Sequence, residues 1–190
     1  MSEFLDGKTP DRPPRNRTEI ATLAMFGLFF GGMLFADLLE DFSVFKLSVP
    51  VFILSWVVLL VVHEFGHALM ARALGWRVEL VSIGTGKILA RKRILGMPTE
   101  FRAVPLSGFA LPRPADLIHP RMKNFLIYGA GPGSELAIVM AIWWWIGHGR
   151  FFSLEADFQL IALQSFSAAA TMGALINLIP FPHQMDQGGK

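Results

Sequence analysis

The chain has 190 residues, 53% of them hydrophobic and 17% charged, with a net charge of +2. Soluble domains carry about 25% charged residues, so this composition is that of a membrane protein. The sequence has no cysteine, which excludes disulfides and thiolate metal ligands, and its basic residues are not interleaved with stacking aromatics, which leaves no nucleic-acid signal.

Residues 1–18 are polar and proline-rich and read as a disordered cytoplasmic tail ahead of a membrane core over residues 19–190. The first apolar stretch runs from Ile20 to Ala36. It reads as an uncleaved helix rather than a signal peptide, because Glu3, Asp6 and Asp11 precede it and no small-x-small site follows it. Three more stretches follow, from Leu47 to about Trp76, from Phe125 to Ile146 and from Phe158 to Phe181. Each is near the roughly 20 residues that cross a bilayer. The expected fold is an α-helical polytopic membrane protein with about four transmembrane helices. Between the second and third stretches, residues 77–112 alternate in short segments broken by Gly and Pro, with a turn at Gly84-Thr85-Gly86-Lys87. They predict a small cytoplasmic β-hairpin or sheet.

Lys and Arg give the orientation. Four lie in the tail, one (Lys46) between the first two spans, ten from Arg72 to Lys123, one (Arg150) between the last two, and Lys190 at the end. This alternation predicts that both termini and the 72–123 segment face the cytoplasm. Trp143-Trp144-Trp145 then falls at the outer end of the third span, where an aromatic belt belongs.

Residues 63–67 read His-Glu-Phe-Gly-His at the end of an apolar run. On a helix, positions four apart share a face, so His63 and His67 can hold one metal ion, with Glu64 close enough to act as a base on water. Imidazoles and carboxylates are costly in lipid, and such a cluster reads as a functional site. Counted from Leu47, His63 lies about 24 Å along its helix, roughly 6 Å short of the cytoplasmic edge of a 30 Å hydrocarbon core.

A catalytic zinc takes three protein ligands and leaves a position open. Asn177, the helix-ending Pro180 and Asp186 form a unit that can fold back toward the histidines, which makes Asp186 the candidate third ligand. His183 is a nearby competitor. Glu135, ten residues into the third span from Phe125, is an intramembrane carboxylate expected at about 15 Å depth, deeper than the histidines. It could be structural, position the substrate, or replace Asp186 as ligand.

These motifs resemble the site-2 protease family of intramembrane metalloproteases over about residues 47–189. The family's first core helix carries His-Glu-x-x-His, matched by His63, Glu64 and His67. Its third core helix ends in Asn-x-x-Pro followed by Asp-Gly, matched by Asn177, Pro180 and Asp186. Pro105-Leu106-Ser107-Gly108-Phe109 is similar to a family hairpin, and Ala130-Gly131-Pro132 to the motif that opens the middle core helix. The chain departs in having Gln187 between Asp186 and Gly188, and Glu135 where relatives often have Asn. The resemblance implies a Zn2+ endopeptidase with His63, His67 and Asp186 as ligands, Glu64 as catalytic base and Asn177 holding the substrate or its oxyanion. It implies membrane-protein substrates in the bilayer, single-span helices partly unwound for cleavage, and a prokaryotic inner membrane as the location. Small residues in the fourth span (Ser167-Ala168-Ala169-Ala170, Gly173) would let such a helix approach closely. The chain reads as a minimal core of that family or a truncated piece of a longer member, with any regulatory partner unknown. A non-catalytic membrane binding protein on the same scaffold is the rival reading, and intact Glu64 argues against it.

Overall fold

The computed structural model describes residues 17–40, 42–115 and 118–178. Helix α1 (Arg17–Glu40) belongs to a first compact unit that ends at Ser43. Its 24 residues span about 36 Å, and Phe26, Leu28, Phe29, Phe30 and Phe35 are all exposed.

The second unit begins at Val44. A 3-10 turn (Val44–Leu47) leads into α2 (Ser48–Ala73), the helix that carries the His-Glu motif. Pro50 falls in the first turn of α2, where a missing N–H costs nothing. The helix ends in a Schellman motif. The Trp76 N–H donates to the Ala71 carbonyl at 2.9 Å and the Gly75 N–H to the Arg72 carbonyl at 3.0 Å, with Gly75 at φ 80°. Trp76 is buried against Ala71 and Ile127, which fixes the exit direction of the chain.

Strands β1 (Arg77–Ile94) and β2 (Met97–Arg113) follow as one antiparallel hairpin. The two residues between them, Leu95 and Gly96, have φ of 51° and 78°, the left-handed pair that a tight hairpin turn requires. This two-strand sheet occupies the 77–112 segment in which the sequence predicts a small hairpin or sheet. Gly84 and Gly86, at φ 92° and 84°, bend β1 in its middle. The expected turn at 84–87 is therefore a bend inside a strand. Because of it, Val81, Ser82 and Ile83 pair on both edges, with Ala110, Phe109 and Gly108 on one side and Thr99, Glu100 and Phe101 on the other. Val81, Ile83 and Met97 pack under the sheet on Phe65 and Ala68 of α2.

Helix α3 (Pro120–Ile146) begins with Pro at its first position and stops at Gly147, whose φ is 81°. A short turn α4 (His148–Phe151) connects it to α5 (Phe158–Leu178). Leu59 of α2 packs on Ala169 and Ala170 of α5, both fully buried. The small residues of α5 therefore serve an internal helix contact.

Among the described residues, three segments are long and apolar enough to cross a membrane: Val44–Ala73, Pro120–Ile146 and Phe158–Leu178. Their outward side chains, such as Ile53, Leu54, Val58, Phe125, Met140, Trp144 and Trp145, are exposed, as lipid-facing residues must be.

Candidate metal centre

The i, i+4 spacing of His63 and His67 on α2 brings their Nε2 atoms within 3.1 Å, with the ring planes near perpendicular at 85°. Two nitrogens on a tetrahedral zinc, at about 2.05 Å each, stand roughly 3.3 Å apart. The opposite nitrogen of His67, Nδ1, is 2.6 Å from the Ile127 carbonyl on α3. A carbonyl only accepts, so Nδ1 carries the proton and the Nε2 of a neutral His67 presents its lone pair. That lone pair faces His63.

Across from the pair lies Gly131 of α3. A Cβ placed there would stand 2.8 Å from His63 Nε2 and would also overlap His67 Nε2. The gap left by the missing methyl is a cradle at the point where the imidazoles of buried His63 and half-buried His67 converge. Helices α2 and α3 come together just beside it, since a Cβ on Gly66 would meet the Ala130 carbonyl at 2.7 Å. The Ser134 hydroxyl donates to the Gly131 carbonyl at 2.6 Å on the same turn.

Glu64 is buried at 5% exposure beside the pair, and β2 closes over it. A Cβ on Gly108 would lie 2.8 Å from both Glu64 Cγ and Oε1. Pairing of β2 with β1 is interrupted between Val104 and Gly108, which leaves Leu106 and Ser107 facing the site rather than a partner strand. A cavity of about 220 Å³ opens here, lined by His63, Glu64, Ser107, Gly108, Glu135 and Asn177 among others. The Asn177 Nδ2 donates to the Gly173 carbonyl of its own helix at 2.9 Å.

Glu135 is not deeper than the histidines. Its Oε1 is 3.4 Å from His63 Nδ1. Counting residues along each helix separately does not record how far α2 and α3 are shifted against each other, and the contact gives that shift directly. The two side chains therefore sit at one level.

The structure thus brings together His63, Glu64, His67, Glu135 and Asn177 of the residues singled out in the sequence. Asp186, Pro180 and His183 lie outside the described residues. Among the described residues no group of three His, Asp or Glu is arranged to hold one metal ion. The Ile127 carbonyl was not legible in the sequence, because any residue type supplies one.

The chain matches the family model Peptidase family M50 over residues 51–187. It is 38% identical over 93 residues to the regulator of sigma-E protease RseP of Escherichia coli, covering 47% of this chain and 21% of that protein. It is 32% identical over 146 residues to the protease RseP of Yersinia pestis, covering 69% of this chain and 32% of that one. A Campylobacter jejuni protein named as a candidate zinc metalloprotease is 39% identical over 62 residues, 33% of this chain and 17% of the relative. The chain spans a third or less of the length of these relatives. The matched region runs from the second turn of α2 through the histidine pair, the sheet, α3 and α5, and on that extent the chain belongs to peptidase family M50, the site-2 protease family.

Proposed function

We propose that this chain is the core of an intramembrane zinc endopeptidase that cuts membrane-protein substrates within or beside a transmembrane segment, on the cytoplasmic side of the bilayer. One observation carries the reading: the imidazoles of buried His63 and half-buried His67 converge through Nε2 opposite a glycine, with a buried carboxylate alongside. His63, His67 and Asp186 would hold the ion. Bound zinc supplies a Lewis acid that polarises a carbonyl and makes water acidic near neutral pH.

The protein's own groups do the rest. Glu64 Oε accepts a proton from the attacking water and returns it to the leaving amine. Gly108, by lacking a side chain, leaves space for that carboxylate against the sheet. Leu106 and Ser107 lie in the gap of the β ladder, and their backbone can pair with an unwound substrate in strand addition. Asn177 turns its amide from the Gly173 carbonyl to the substrate oxygen. Helix α1 supplies a fourth span, both termini face the cytoplasm, and the bacterial relatives point to an inner membrane as the location.

Elemental analysis of the full chain, purified gently in detergent, tests the reading. About one zinc per chain is expected, and a metal-free wild type overturns it. Glu64→Gln keeps size and polarity, so it should retain zinc while hydrolysis of a single-span substrate falls by at least 10²–10⁴-fold. Unchanged turnover in that variant rules out Glu64 as the base.

A further inference from the structure

Glu135 has no task in the mechanism above, yet at 3% exposure it is the least exposed acid among the described residues. Its Oε2 has no hydrogen-bond partner among them, and neither has His63 Nδ1. The two residues face each other, with Oε1 3.4 Å from Nδ1. Helix α5 makes room for the carboxylate at Gly173, where a Cβ would stand 3.4 Å from Oε1 and 3.5 Å from Oε2.

The arrangement parallels that of the other histidine. His67 turns Nε2 to the convergence point and Nδ1 to the Ile127 carbonyl of α3. His63 turns Nε2 to the same point and Nδ1 to Glu135 of α3. Ile127, Gly131 and Glu135 are four residues apart, so a single face of α3 presents a carbonyl, a gap and a carboxylate in succession. Each imidazole thus has an oxygen of α3 facing its outer nitrogen and the gap beside its inner one.

We infer that Glu135 is a positioning residue that accepts the Nδ1 proton of His63, fixing the tautomer whose bare Nε2 faces the metal. A carboxylate oxygen accepts from an imidazole N–H, so the inferred contact puts the His63 proton on Nδ1. With both outer nitrogens protonated, two lone pairs meet at 3.1 Å, an arrangement that a cation relieves. Acceptors behind ligating imidazoles fix ring orientation and raise basicity, and their loss costs roughly 10–100-fold in metal affinity. Glu135 then acts through His63 and does not bind zinc itself. This inference rests on the proposed zinc site.

The test uses the full chain in detergent micelles, with Glu135→Ala and Glu135→Gln beside wild type. Gln keeps an acceptor oxygen at the same reach. Nitrogen–proton correlation spectra of the metal-free protein should show His63 protonated on Nδ1 in wild type and Glu135→Gln, and a mixture of tautomers in Glu135→Ala. Zinc affinity, read by chelator competition, should fall about 10–100-fold in Glu135→Ala and stay within a few-fold in Glu135→Gln. A Glu135→Ala protein with wild-type tautomer and affinity overturns the inference and leaves the zinc site standing. Loss of zinc in Glu135→Gln as complete as in His67→Ala also overturns it, by making Glu135 a ligand. A wild type that binds no zinc sinks the proposed function instead, and the tautomer spectra still decide the role of Glu135.

Discussion

Gly108 of β2 stands against Glu64 of α2 so closely that a methyl on it would lie 2.8 Å from the carboxylate oxygen. The same methyl would lie 2.5 Å from the Ser82 carbonyl on the paired strand, so neither side can give without moving backbone or base. The expected result for Gly108→Ala is a displaced Glu64 in a protein that keeps its metal. Turnover should drop about 10–100-fold, since misplacement of a reacting group by about 1 Å costs that much. Zinc content and turnover measured on one preparation check this; full turnover would show that the contact does not set the base.

Gly131→Ala should do the reverse and strike the metal. Its methyl would overlap both imidazoles at Nε2, and the expected cost is at least about tenfold in zinc affinity. Gly129→Ala, on the same helix, meets nothing within 4 Å and serves as the control. Equal affinities in the two variants would remove Gly131 from the account of the site.

Asp186→Ala should weaken zinc binding and abolish cleavage. Three protein ligands are the usual set for a catalytic zinc, and the two histidines supply two. Retention of zinc by this variant, with loss in Glu135→Gln, would transfer the third position to Glu135.

Orientation is accessible to single-cysteine labelling because the chain has no cysteine of its own. A cysteine at Lys92, in β1, should react with an impermeant reagent from the cytoplasmic side. One at Ser153, between α4 and α5, should react from the other. The opposite pattern would place the histidine pair on the wrong side of the bilayer.

Apolar runs made the spans legible. The run from Leu47 to Trp76 became α2 over Ser48–Ala73, and the start of α5 at Phe158 agrees. The onset of α3 was missed by five residues, because Pro120 to Asn124 is polar and hydropathy cannot see a polar first turn. Pro120 itself was the available signal, since Pro favours the first helical position. His63, Glu64 and His67 were legible because four-residue spacing on one helix fixes their geometry without reference to anything else. The place of Glu135 was not. It depends on how far α2 and α3 are shifted along each other, and no spacing within one segment records that. The extent of the sheet was legible, but the course of its first strand was not: Gly84 and Gly86 read as a turn, whereas they bend a strand that continues to Ile94.

Ile127, Gly131 and Glu135 meet the histidine pair from one face of α3, and this restricts how the molecule can move. A step of one residue along a helix turns its surface by about 100°. Any screw or slide of α3 past α2 would therefore withdraw all three groups together. While an ion is held, these two helices behave as a single rigid beam. Under the proposed function, admitting a polypeptide would fall to the parts that touch the cavity from other directions: the interrupted ladder at Leu106 and Ser107, and the end of α5 that carries Asn177.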